Sequence, residues 1–167
     1  GGKTGPAAAA GMSALRGDLH VHTCLSPCAD DALTPAVAAG MAKLAGADVI
    51  AISDPSGTGE ILGPKYFEEF AVTYLNQLLD GLQEEKMGTI VHICGQMSPV
   101  YKEVNMVRSS VLSFDSVVPM KEARANLKDR VLMGNVSTFA LEFGEQEKVK
   151  TLAKGCVRSG SDIISPA

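Results

Sequence analysis

Hydrophobic residues fall into two alternating kinds of block along this chain, and the alternation predicts its elements. Residues 48–53, with Val-Ile-Ala-Ile at their centre, form the continuous apolar run typical of a strand buried on both faces of a parallel sheet. Residues 89–95, 111–114, 131–134 and 162–165 read as further strands. An earlier candidate, residues 16–23, sets Leu19 and Val21 against Asp18, His20 and His22, so that the two histidines share a face.

Between these runs the period lengthens to that of helices. Thr34-Pro35 supplies an N-cap and a first-turn proline for an Ala-rich helix to about residue 44, which Gly46 ends. The longest helix is expected over 64–85, with Phe67, Phe70, Tyr74, Leu75, Leu78, Leu79 and Leu82 recurring at intervals of three and four. Residues 99–108, 120–127 and 145–158 read as three more, with Gly160 past the end of the last. Strand and helix in turn imply an α/β fold of repeated right-handed βα units on a parallel sheet. The strands end in Asp54, Cys94-Gly95, Asp115, Gly134-Asn135 and Ser165, which would line one rim.

Six strands fall short of the eight of a closed barrel, which typically takes about 250 residues. The expectation is an incomplete TIM-barrel-like fold whose open edges a second copy of the chain would cover. Residues 1–15 are read as a flexible tail and 16–167 as one βα-repeat domain. Gly2-Lys3-Thr4 lacks the strand and glycine that a phosphate-binding loop requires before it.

Composition narrows the function. A net charge of −4, no basic block and few aromatic residues exclude a nucleic-acid platform. No apolar run reaches membrane-spanning length and no signal-peptide pattern opens the chain, so a cytoplasmic protein without a membrane partner is expected. Cys24, Cys28, Cys94 and Cys156 are irregularly spaced, as thiols or metal ligands are, rather than as a disulfide framework.

Thr89-Ile-Val-His-Ile-Cys-Gly95 carries the most specific chemistry. His92 and Cys94 lie two apart on a strand and project together from its C-terminal end, where α/β proteins bind ligands. An imidazole and a thiolate are half of a tetrahedral zinc site. The same pair also fits a buried cysteine beside a hydrogen-bonded core histidine.

From Ala45 onward the chain resembles the uroporphyrinogen decarboxylase superfamily, and within it the corrinoid-dependent methyltransferases. The resemblance rests on Gly46-Ala-Asp-Val-Ile-Ala-Ile-Ser-Asp-Pro55, the segment from Gly59 to Phe70, Val91-His-Ile-Cys-Gly95, Leu112-Ser-Phe-Asp115, Met133-Gly-Asn-Val136 and Asp162-Ile-Ile-Ser-Pro166. The His-x-Cys-Gly pattern favours the methyltransferases over the decarboxylases. It implies zinc on His92 and Cys94, a small thiol as methyl acceptor, and a methylated corrinoid presented by a partner protein. It also implies Asp54, Asp115 and Asn135 lining the pocket, although polar residues at strand ends commonly bond loop backbone instead. The superfamily's further cysteine ligand, after the Ile-Ser-Pro strand, has no counterpart up to Ala167, and Cys156 falls within a helix. The expectation is a barrel fragment whose activity that truncation threatens.

Asp18-Leu-His-Val-His-Thr-Cys-Leu-Ser-Pro-Cys-Ala-Asp-Asp31 looks like the start of a PHP (polymerase and histidinol phosphatase) domain. That resemblance implies metal on His20 and His22 and a metal-dependent phosphoesterase. The next strand of such a domain should end Asp-His, and here Asp54 precedes Pro55. The two resemblances meet near residues 44–48, so a recombined βα fold is expected, either without catalysis or with a hybrid metal site drawn from His20, His22, His92 and Cys94.

Overall fold

The computed structural model describes residues 17–21, 35–55, 57–84 and 88–167. Five strands form one parallel sheet in sequence order: β1 (Gly17–Val21), β2 (Val49–Asp54), β3 (Gly88–Ile93), β4 (Val111–Phe114) and β5 (Val131–Met133). Every neighbouring pair is parallel, with His92 opposite Ser53 on one side and Ser113 on the other. The expected sixth strand is reduced to parallel bridges from Met133 to Ile163 and from Val136 to Pro166. Backbone bonds from Gly134 to Ile163 (2.9 Å) and from Val136 to Ser165 (3.0 Å) keep that segment beside β5.

β1 pairs directly with β2, so the segment carrying His20 belongs to the same sheet as the rest of the chain. His22, Cys24 and Cys28 lie outside the described residues, as does the expected tail.

Helices connect the strands: α1 (Pro35–Leu44), α2 (Gly59–Tyr66), α3 (Thr73–Glu84), α4 (Tyr101–Val104), α5 (Met120–Asn126), α6 (Thr138–Phe143) and α7 (Gln146–Arg158). The core lies between one face of the sheet and these helices. Val91, Ile93, Leu112, Phe114 and Leu132 are fully buried there against Phe67, Leu79, Val104, Ala123 and Leu127. Alternate positions face the other way: Ala51, Ile90, His92, Val111 and Met133 are half-buried and Val131 is exposed. β2 is therefore buried on one face rather than two: on its other face Val49 and Ala51 are half-buried and Ser53 is exposed.

The expected single helix over 64–85 is broken. Gly63 adopts φ +65° ahead of Pro64, and a wide π-helical turn spans Phe67–Val72, closed by the Thr73 amide donating to the Glu68 carbonyl. The extra residue in that turn rotates the helix face, which buries Ala71 and Val72 and turns Phe70 and Tyr74 outward. The helix expected over 99–108 is likewise shorter, a 3₁₀ turn at Ser98–Val100 followed by α4. No helix among the described residues is long and apolar enough to cross a membrane.

Asp162 anchors the last segment to the sheet. Its carboxylate accepts the Leu132 amide at 2.9 Å and pairs with Arg124. The Leu132 amide foremost, with Arg124, outweighs the opposing effect of desolvation and holds the carboxyl below its ordinary value of 3.8. A depressed carboxylate stabilises the fold above its unfolded pKa, and that contribution is lost as pH falls through the folded value. Asp162→Ala should therefore be less stable than the parent near neutrality, and the difference should close as urea melts are moved to pH below 3.8.

Candidate functional site

Parallel pairing brings the C-terminal ends of the strands to one rim, and the expected site residues Asp54, Cys94, Asp115 and Asn135 all stand on it. Two tight loops build its centre. The turn after β2 carries Gly57, Thr58 and Gly59, all buried, and packs against the turn after β3. A Cβ on Gly59 would lie 2.8 Å from the Gln96 carbonyl oxygen, and one on Gly95, where φ is +76°, would lie 2.9 Å from the Thr58 side chain. Only glycine permits that approach and that backbone. Glu60 accepts the Gln96 amide at 3.0 Å, and the Cys94 amide reaches the Asp54 carbonyl at 3.5 Å. The Cys94 backbone is thus tied to the end of β2.

His92 is half-buried, with Nδ1 2.9 Å from Ser113 Oγ on the next strand. Burial pushes its pKa below the ordinary value of 6.5, partly opposed by the nearby charge of Asp115. Burial pushes the Cys94 thiol up, and the charges of Asp115 and Asp54 push in the same direction. Asp115 feels burial as an upward push, but the Val117 and Gly95 amides, the Ser116 hydroxyl and His92 outweigh it, and the carboxyl stays below its usual range. The result is a neutral imidazole and a protonated thiol facing a carboxylate, a pairing that a divalent cation would reverse at the sulfur.

The remaining rim residues are tied to loop backbone. Asp115 accepts the Gly95 amide at 3.3 Å and the Val117 amide at 3.2 Å. Asp54 accepts the Gly57 amide at 2.9 Å. Asn135, buried, donates to the Asp115 and Val118 carbonyls at 2.8 and 2.7 Å. Cys156 is buried on α7 with Sγ 3.6 Å from Asn135 Oδ1, a packing role rather than a place at the rim. Sequence reasoning missed Ser113: alternation puts it on one face of β4 with Val111, but its pairing with His92 comes from the register between β3 and β4.

His92 and Cys94 offer the nitrogen and sulfur donors that suit zinc. No cluster of three or more His, Cys, Asp or Glu residues able to hold a metal occurs among the described residues, and His92 and Cys94 together could fill at most two of the four positions of a tetrahedral site. The hybrid reading with His20 and His22 involves His22, which lies outside the described residues.

A parallel sheet with helices on its outer face and polar groups at the strand ends defines a TIM-barrel-type βα protein. The chain belongs to the uroporphyrinogen decarboxylase (URO-D) family, whose model matches residues 12–167. That match runs through the segment of His20 and His22, so one family spans both parts and the PHP reading finds no support. Among curated relatives, the methylcobamide:CoM methyltransferase MtbA of Methanosarcina acetivorans is 30% identical over 122 residues, covering 72% of this chain and 36% of the relative. MtaA of Methanosarcina barkeri, a methylcobamide:CoM methyltransferase, is 31% identical over 125 residues, 73% of this chain and 36% of its own length. The chain therefore spans about a third of the length of these relatives. A solved methyltransferase from Methanosarcina mazei superposes with a TM-score of 0.71 at 29% identity, over 79% of this chain and 39% of that one. A protein from Coccidioides immitis assigned as a deoxyribose-phosphate aldolase shares the fold, with a TM-score of 0.58 at 14% identity over 91% of this chain and 57% of its own.

Proposed function

We propose that this chain forms the zinc-binding part of a corrinoid protein:thiol methyltransferase, with His92 and Cys94 as two ligands at the rim. The observation that carries the reading is their placement two residues apart at the C-terminal end of β3, with the His92 ring already held through Nδ1. The family and the methylcobamide:CoM methyltransferases among its relatives support it.

Zinc, when bound, would lower the pKa of a small acceptor thiol and present it as a thiolate. The chain's own residues do the rest. His92 and Cys94 hold their donor atoms on one face of the sheet. Asp54 and Asp115 place negative charge beside them, which attracts a cation, while their bonds to the Gly57, Gly95 and Val117 amides fix the loops that frame the pocket. Asn135 stands behind them and ties the end of β4 to the turn that follows. The methyl donor is a corrinoid carried by a partner protein, and the acceptor thiol takes one of the remaining zinc positions. The protein works in the cytoplasm, where thiols such as Cys94 and Cys156 stay reduced.

Elemental analysis of protein purified without added metal tests this. About one zinc per chain is expected, lost in His92→Ala and in Cys94→Ala and kept in His20→Ala. Full zinc in both rim variants overturns the reading. The zinc-loaded protein should also transfer methyl from free methylcobalamin to a small thiol faster than its His92→Ala variant.

A further inference from the structure

We propose that Ser113 is the positioning residue for His92: its hydroxyl oxygen accepts a hydrogen bond from Nδ1–H, which leaves Nε2 as the lone-pair donor. The inference rests on the reading of His92 as a ligand, but its structural half stands separately. Three observations carry it. Ser113 Oγ lies 2.9 Å from His92 Nδ1 across adjacent parallel strands, in direct register. Ser113 is only 4% exposed, so its hydroxyl is largely withdrawn from solvent. And β4 otherwise alternates strictly between helix-facing Leu112 and Phe114 and inner-face Val111 and Ser113, so the hydroxyl is fixed by the strand rather than by a loop.

A neutral imidazole carries one proton, and whichever nitrogen holds it is closed to a metal. Without an acceptor at Nδ1 the ring would divide between tautomers and turn more freely, and a ligand histidine loses affinity when its outer partner is removed. A serine in this position holds the plane of the ring, and when its oxygen accepts from Nδ1–H it leaves Nε2 open to a metal.

Two readouts on the intact chain test the proposal. Long-range ¹H–¹⁵N correlation of the metal-free protein, at a pH well above the imidazole range, reports which nitrogen of His92 is protonated. The chain has three histidines, so His92→Gln assigns the signal. Zinc affinity is then measured by competition with a chromophoric chelator for the parent, Ser113→Ala and Ser113→Thr. The expected result is Nδ1–H in the parent, mixed tautomers in Ser113→Ala with zinc binding weaker by about 10- to 100-fold, and recovery in Ser113→Thr, which keeps a hydroxyl. Nε2–H in the parent overturns the proposal, and so does a Ser113→Ala variant with unchanged tautomer and affinity. If parent and His92→Ala bind zinc alike, the zinc reading falls instead, and the tautomer comparison alone then decides whether Ser113 sets the ring.

Discussion

Phe114→Ala should lose about 3–5 kcal/mol of folding stability, the largest effect of any single truncation proposed for this chain. Phe114 is fully buried at the C-terminal end of β4, opposite Ile93 in the parallel register and within the same cluster as Val91, Met97, Val118 and Met120. Removing the ring forfeits its transfer free energy and leaves a void that a sheet locked between two neighbours cannot close by moving. Backbone also sits close: a Cβ on Gly134 would lie 3.3 Å from the Phe114 carbonyl oxygen. The comparison that gives the result meaning is Val131→Ala. Val131 lies on the adjacent strand but on the inner face and is 41% exposed, so its truncation should cost less than about 1 kcal/mol. Equal losses from the two would mean that the core is not on the helix side of the sheet.

Period and punctuation marked most strands and helices before the structure did. The expected strand over 111–114 coincides with β4, and the proline at residue 35, Gly46 and Gly160 bound their helices as expected. What was not legible depended on events that leave no periodic trace. The π-helical turn at Phe67–Val72 changes which side of the helix is inward, so Phe70 and Tyr74 fit the expected stripe and yet lie exposed. Helix α6 went unseen because Phe139 and Phe143 face solvent and meet at a tilt, with ring centroids 4.8 Å apart, which removes the contrast between faces; its one readable signal was Ser137 as N-cap, accepting the Ala140 amide. The pairing of His92 with Cys94 was visible as spacing, because a strand's two-residue period is local. Ser113 was not, because its meaning depends on the register between β3 and β4, which the sequence does not state. Asn135 was legible as a rim residue, and its amide bonds loop backbone at Asp115 and Val118, the alternative that polar residues at strand ends commonly take.

Long-range polar ties of this kind lead to the second large effect, at a residue that sequence gave no reason to choose. Arg124 on α5 donates to the carbonyls of Gly160, Leu127, Lys128 and Arg130 and pairs with Asp162. One guanidinium thereby satisfies the end of its own helix, the start of β5 and the turn after α7, where Gly160 adopts φ +101°. A Cβ on that glycine would lie 2.7 Å from Arg124 Cγ, so the two residues define each other's space. The ion pair with Asp162 is half-exposed and adds little by itself. The four carbonyls are the larger part, since they lose a charged, pre-shaped donor all at once. Arg124→Ala should therefore destabilise by about 2–4 kcal/mol, read as a lower urea midpoint with the slope of the transition unchanged. Arg124→Lys separates charge from shape. An ammonium keeps the attraction to Asp162 but cannot form the planar fork that spans Gly160 and Arg130 together. Lysine should recover less than half of the loss; full recovery would mean that charge alone holds this corner.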